Sequence, residues 1–230
     1  MAAFSRDEVL ANLARIRGEI AAACERSDRD PAGVRLVAAT KTVPVAVVRL
    51  AHEAGVEEFG ENYVQELATK RSAVPDATWH FIGNLQSHTA HRVAELADIV
   101  ETLTPGKATL RLAHRAAERG RRIPALIEVD FTGERSGVPP EACEAFADQV
   151  ADMEGIALVG LMTLPPMPVS PEDARPYFRR LRDLLARVAN RHPEAVELSM
   201  GMSIDYPVAV EEGATMVRIG TALFGERPPA

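Results

Sequence analysis

Lys41 stands at the end of a short apolar run, 35–40. Lysine is scarce in this chain. Of 26 basic residues only Lys41, Lys70 and Lys107 are lysines, and the other 23 are arginines. A lysine placed at a strand end is therefore marked out for amine chemistry, which a guanidinium that never releases its proton cannot perform. In an extended strand Val37, Ala39 and Lys41 share one face, and Leu36, Ala38 and Thr40 the other. With the first set pointing inward, the amine rises above the small Ala39. Desolvation there, or a neighbouring cation, would favour the neutral form that attacks an aldehyde. The other reading is an ion pair with Glu61 or Glu128 that holds a barrel mouth together, and position alone balances the two.

A second set of residues lies near the end of the chain. Ser199-Met200-Gly201-Met202-Ser203 and Gly220-Thr221 follow the last two apolar runs. The hydroxyls of Ser199, Ser203 and Thr221 can donate to phosphate oxygens, and Gly201 and Gly220 allow a close backbone approach. A helix starting near Ser203 would add free N–H groups. Ordinary capping by Ser203 or Asp205 explains one such loop. Two in tandem, opposite a lone lysine, point to a phosphorylated aldehyde held as a Schiff base, such as pyridoxal phosphate. Arg218 lies two residues before Gly220 on the same strand face. It would pair with the pyridine nitrogen of that group, or form an interior salt bridge to a carboxylate such as Glu128. At the ring nitrogen, an always-charged arginine would keep the ring unprotonated and weaken it as an electron sink.

These residues need a frame that brings chain positions 41 and 218 together. Ser5-Arg6-Asp7-Glu8 reads as a capping box opening a helix to about Arg26, with Val9, Leu13, Ile16 and Ile20 at helical spacing. Eight strand segments follow, at 35–40, 57–60, 78–82, 98–101, 123–129, 156–162, 195–198 and 216–219. All but the last are followed by helical stretches. Pro44, Pro105, Pro139 and Pro171 stand near first turns, and Gly55, Gly120, Gly155 and Gly213 near helix ends. The alternation predicts one domain over residues 1–230, a (β/α)₈ TIM barrel with an extra N-terminal helix. A doubly wound sheet would carry a G-x-G-x-x-G loop, which is absent. In a barrel, the site collects at the C-terminal strand ends, where Lys41, the Gly60-Glu61-Asn62-Tyr63 run, His80 and the two late loops fall. The proline-rich stretch 163–170 reads as a stiff connector rather than an edge of the site.

Composition narrows the function classes. The 230 residues are 47% hydrophobic, with a formal charge of −7. No apolar run is long enough for a membrane span, and no signal-peptide pattern opens the chain. A cytoplasmic protein is expected. An acidic chain with three tyrosines and one tryptophan lacks the basic footprint of a nucleic-acid binder. Cys24 and Cys143 have no metal-ligand spacing. His88 and His91, three apart on a predicted helix without carboxylate neighbours, read as solvated surface residues, so no metal is expected.

The motifs together are similar to one family. Ala38-Ala-Thr-Lys41, Phe59-Gly-Glu-Asn-Tyr-Val-Gln-Glu66, Trp79-His-Phe-Ile-Gly83 with Leu85-Gln-Ser87, Gly160-Leu-Met162, Ser199-Met-Gly-Met-Ser203 and Met216-Val-Arg-Ile-Gly-Thr221 resemble the pyridoxal-phosphate homeostasis proteins. These are single-domain relatives of the barrel of alanine racemase. The resemblance covers nearly the whole chain. It implies a barrel holding pyridoxal 5′-phosphate as a covalent aldimine to Lys41, with Arg218 facing the pyridine nitrogen. Ser199, Met200, Gly201, Ser203, Gly220 and Thr221 would lie about the phosphate, Asn62 near the ring, and His80 in the pocket wall. One departure stands out: where the family often carries Asn-Lys after Ser87, this chain has His88-Thr89.

The resemblance also implies a protein that buffers or delivers the cofactor, with apo pyridoxal-phosphate enzymes as recipients and little or no turnover. A monomer is expected rather than an oligomer. Alanine racemase adds a second domain that supplies a tyrosine acid/base, and this chain ends at Ala230, soon after its last strand. Two alternatives remain from the residues: a self-sufficient pyridoxal-phosphate racemase or decarboxylase, and a class I aldolase using Lys41. A docking protein with a vestigial pocket is a third.

Overall fold

The computed structural model describes residues 5–225. Ser5 and Glu8 close the expected capping box, and α1 runs from Arg6 to Arg26. Its buried stripe, Val9, Leu13, Ile16 and Ile20, faces the body of the molecule. The helix is tied to the last part of the chain: Asn12 donates to the Leu223 carbonyl (3.1 Å) and the Tyr206 hydroxyl donates to Glu19.

Eight parallel strands follow: β1 (Arg35–Ala39), β2 (Glu58–Glu61), β3 (Thr78–Phe81), β4 (Ile99–Leu103), β5 (Ile123–Val129), β6 (Ile156–Thr163), β7 (Glu197–Ser199) and β8 (Met216–Ile219). Each pairs with the next, and β8 pairs with β1, closing a barrel. The helices α2 (Val45–Glu53), α3 (Val64–Ala73), α4 (Ala90–Leu96), α5 (Lys107–Glu118), α6 (Pro140–Ala151), α7 (Arg175–Ala189), α8 (Tyr206–Glu211) and α9 (Thr221–Phe224) alternate with the strands. The four-residue α9 after β8 was not expected from the sequence.

The prolines sit at or just before first turns. Pro44 and Pro139 are N-caps, and Pro171 opens a short 3₁₀ turn. Gly55, Gly120 and Gly213 take the left-handed conformation expected at helix ends. Gly155 does not, and is required for a different reason. A Cβ there would fall 2.0 Å from the Ala113 carbonyl oxygen, so glycine lets the start of β6 press on α5.

The outer faces of the strands and the helices share one large apolar core. Inside the barrel the apolar filling is small: Val37, Ile99, Leu126, Met162 and Met216. The strand register shows what accompanies them. Val37 is level with Glu58 and Arg218, and His80 with Ile99. Glu128, Met162 and Ser199 lie in one row. Side chains of a barrel interior come in layers from alternate strands, and here the layers mix aliphatic groups with charges.

Candidate functional site

Strand alternation carries Val37 into the barrel interior, and the same face continues through Ala39 to Lys41 at the C-terminal mouth. A cavity of about 680 Å³ opens there. It brings together Lys41, Asn62, Ser203, Arg218, Gly220 and Thr221. Two other hollows lie away from these strand ends. One of about 510 Å³ is bordered by Arg35 and Glu58, and one of about 860 Å³ runs between α4 and α5 beside His88 and His91. No group of three or more metal-ligating side chains occurs among the described residues.

Lys41 is exposed at the mouth rather than desolvated. Neither carboxylate considered as its partner holds it. Glu61 is fully buried and binds Lys70 (2.6 Å) and the Thr40 hydroxyl (2.6 Å). Burial pushes Glu128 above the ordinary carboxylate range, and Arg218 draws it back only in part. Among the described residues the Lys41 amine has no ion pair or hydrogen bond.

Arg218 is the cation of the cavity floor. One guanidinium nitrogen donates to the Thr163 carbonyl (2.8 Å), and the other donates to the Ser199 hydroxyl and lies 3.6 Å from Glu101. Burial pulls the guanidinium below its ordinary value, opposed by Glu101, Glu128 and Asp205. With those carboxylates around it, it stays charged. Its ion-pair partner is Glu101, where the salt-bridge alternative offers Glu128 as an example.

Four predicted residues, His80, Ser199, Met200 and Gly201, lie beneath or outside the cavity lining. Ser199 is fully buried, and its hydroxyl is committed to both neighbours, donating to Glu101 and accepting from Arg218. It positions Arg218 and has no proton left for a phosphate. Met200 packs, fully buried, in the outer core. His80 does not reach the wall either. It is buried between Glu101 on Nδ1 (2.7 Å) and Glu58 on Nε2 (2.9 Å). Burial opposes its charge, but the two carboxylates push it up to about 9. The imidazolium donates from both nitrogens. Burial likewise works against the Glu101 carboxylate, and the His80 hydrogen bond with the His80 and Arg218 charges brings it below its usual range.

Gly201 acts through shape. It takes φ +92°, and a Cβ would fall 2.5 Å from the Ala209 side chain, so only glycine lets the loop after β7 lie on α8. Its carbonyl accepts the Arg218 N–H (3.0 Å). Two residues on, the Ser203 hydroxyl accepts the Ala222 N–H (3.1 Å), which joins the loop after β7 to the first turn of α9. The expected capping role of Asp205 is met differently: its carboxylate accepts the Met202 N–H (2.6 Å) within the loop. On the opposite wall, a Cβ at Gly83 would fall 2.1 Å from the Asn62 carbonyl oxygen, so glycine lets the loop after β3 brace Asn62.

Sequence reasoning missed several walls. Leu164, Met167 and Pro168 line the cavity, so the proline-rich segment after β6 is part of the site and not a mere connector. Arg135 also reaches it. Its loop is shaped by Asp130, which accepts from the N–H groups of Thr132 (2.8 Å) and Arg135 (2.8 Å). Burial raises that carboxylate, and these backbone bonds pull it below its ordinary value. The available signal was Asp130-Phe-Thr-Gly133, an aspartate two residues before Thr-Gly at the end of a strand.

The chain can now be set beside known proteins. Residues 11–228 match the family alanine racemase, N-terminal domain. The pyridoxal phosphate homeostasis protein of Aquifex aeolicus (strain VF5) is 40% identical over 220 residues, 94% of this chain and 96% of the relative. The structure of PipY of Synechococcus elongatus PCC7942 with PLP bound superposes with a TM-score of 0.83 at 33% identity, over 94% of this chain and 100% of that one. Alanine racemase from Corynebacterium glutamicum gives a TM-score of 0.73 at 18% identity, over 98% of this chain but 62% of that one; this likeness is one of fold. An end-to-end match to such relatives, on a barrel whose mouth gathers Lys41, Arg218 and Thr221, places this chain in the pyridoxal phosphate homeostasis protein family.

Proposed function

We propose that the chain binds pyridoxal 5′-phosphate in the cavity at the strand ends and serves to buffer or deliver it, with little or no turnover. The observation that carries this reading is the pairing across one cavity of an unpartnered lysine with the bridged loops of Ser203 and Thr221, above a buried arginine. The residues fit the group. A hydroxyl-bearing, glycine-containing cradle suits a phosphate, and a fixed cation suits an unprotonated ring nitrogen. The group supplies an electrophilic aldehyde. Lys41, whose amine has no partner among the described residues, would be the nucleophile toward that aldehyde. Ser203, Gly220 and Thr221 hold the phosphate, and Asn62 lies beside the ring. Arg218 stays protonated at the ring nitrogen, with Ser199 and Glu101 fixing its plane. Apo enzymes that need the cofactor are the recipients. We read the carrier as monomeric and cytoplasmic.

The racemase alternative needs a second acid/base opposite Lys41. Among the described residues no tyrosine lines the cavity. Tyr206 donates to Glu19, Tyr177 rests on Phe131, and Tyr63 is exposed at the start of α3. The aldolase alternative would want a carboxylate shuttle beside the amine; neither Glu61 nor Glu128 lines the cavity, and Asp205, which does, accepts the Met202 N–H (2.6 Å) within its own loop.

The test is an absorbance spectrum of protein loaded with pyridoxal 5′-phosphate, followed by borohydride reduction and peptide mapping. A yellow chromophore fixed on Lys41, and lost in Lys41→Ala, is expected. Fixation on Lys70 or Lys107, or a colourless protein, would refute the assignment.

A further inference from the structure

Lys70 is a buried lysine that the proposed function leaves unused. It is 3% exposed, yet its Nζ makes three hydrogen bonds of 2.6 Å, to the Thr40 carbonyl, to Glu61 and to Glu66. The same Glu66 oxygen accepts the Thr42 N–H (2.9 Å). Lys41 is the one residue between Thr40 and Thr42. Two residues a turn apart on α3 therefore hold the carbonyl before Lys41 and the amide after it.

Three features separate this arrangement from ordinary packing. First, Thr42 sits at φ +62°, a left-handed conformation that β-branched residues rarely adopt, and the Glu66 bond to its N–H holds it there. Second, the cluster is a poor choice for stability alone. One oxygen of the buried Glu61 has no hydrogen-bond partner, and buried ion pairs are commonly matched or exceeded by apolar packing. Third, a chain that uses arginine at 23 of 26 basic positions keeps lysine here. A carbonyl and two carboxylates converge on one nitrogen, which a tetrahedral ammonium can satisfy and a planar guanidinium cannot.

We infer that Lys70 and Glu66, braced by Glu61, are positioning residues that fix the turn carrying Lys41, so that its amine is presented over the cavity ready for an aldehyde. This rests on the reading of Lys41 as the covalent anchor. A misplacement of the order of 1 Å in a reacting group costs roughly a hundredfold in rate. Loosening both flanks of Lys41 thus acts on covalent capture and leaves the cavity itself alone.

The experiment compares two ligands on Lys70→Met, Glu66→Ala and Glu66→Gln. Pyridoxal 5′-phosphate reports capture by Lys41 through its absorbance change. Pyridoxine 5′-phosphate has an alcohol in place of the aldehyde and reports the cavity without the amine. In Glu66→Ala, at a partly exposed position, capture slows roughly tenfold or more while pyridoxine 5′-phosphate binds as in the wild type. Glu66→Gln keeps an acceptor for the Thr42 N–H and restores most of the rate. Lys70→Met slows capture further where it folds; where it does not, the Glu66 pair decides. Wild-type capture in Glu66→Ala, or equal losses for both ligands, would overturn the inference while leaving Lys41 as the anchor. A wild-type protein that fixes no cofactor on Lys41 would overturn the proposed function, and this inference with it.

Discussion

The Ser203 hydroxyl accepts the Ala222 N–H across 3.1 Å and so fastens the loop after β7 to the first turn of α9. That bond uses an oxygen lone pair and leaves the Ser203 proton free to donate into the cavity, beside the hydroxyl of Thr221.

A phosphate held there makes Ser203→Ala with Thr221→Val selective. Each lost hydrogen bond to a charged acceptor is worth about 1.5–3 kcal/mol. Titration should show a large loss of affinity for pyridoxal 5′-phosphate and little change for dephosphorylated pyridoxal. Equal loss for both would place the phosphate elsewhere.

Ser199→Ala has a different signature, because Ser199 serves Arg218 and Glu101 beneath the cavity. Removing it leaves buried charged groups short of a partner, which costs about 1–3 kcal/mol of folding stability. Urea unfolding measures that loss. Affinity should fall by similar factors for the phosphorylated and unphosphorylated ligands.

His80 predicts a pH dependence of stability. Its ordinary value is about 6.5, and in the folded protein it is pushed up to about 9. The folded state thus binds the proton more tightly than the unfolded state. The stabilisation is fully present below about pH 6.5 and is lost as pH rises through about 9, a contribution of about 3 kcal/mol. Urea midpoints should fall between pH 6.5 and 9.5 in the wild type, and the fall should be much smaller in His80→Gln. A flat wild-type profile would show that the Glu58–His80–Glu101 chain does not hold a proton.

Towards amino acids the loaded protein should be nearly inert. A protonated ring favours loss of the α-hydrogen by taking up charge, and Arg218 would keep the ring nitrogen unprotonated. Retention of α-deuterium in labelled L-alanine is the expected result, and exchange at enzyme-like turnover would favour the racemase.

Residues that act through local pattern were legible in the sequence. Alternation alone set Val37, Ala39 and Lys41 on the interior face, and spacing gave the capping box of Ser5 and Glu8. Thr221 and Ser203 followed from loops at strand ends. Residues whose partners lie far along the chain were not legible. Ser199 meets Glu101 across 98 positions, and no local signal distinguishes a hydroxyl bound to a carboxylate from one awaiting a phosphate. His80 likewise finds Glu58 and Glu101 only once three strands lie side by side. Lys70 carried no local signal, because its three acceptors converge only once α3 packs beside β2.

The closure of β8 on β1 sets the order in which the site can come into being. Lys41 follows the first strand synthesised, while Arg218 lies in the last and Thr221 just after it. A nascent chain still lacking β8 carries Lys41 without Arg218 and Thr221, so on the proposed site cofactor would be retained only once the final strand has docked. Ligand that binds the closed barrel then favours it over any form with that seam open, by mass action. Occupancy of the site thereby reports on completion of the fold itself.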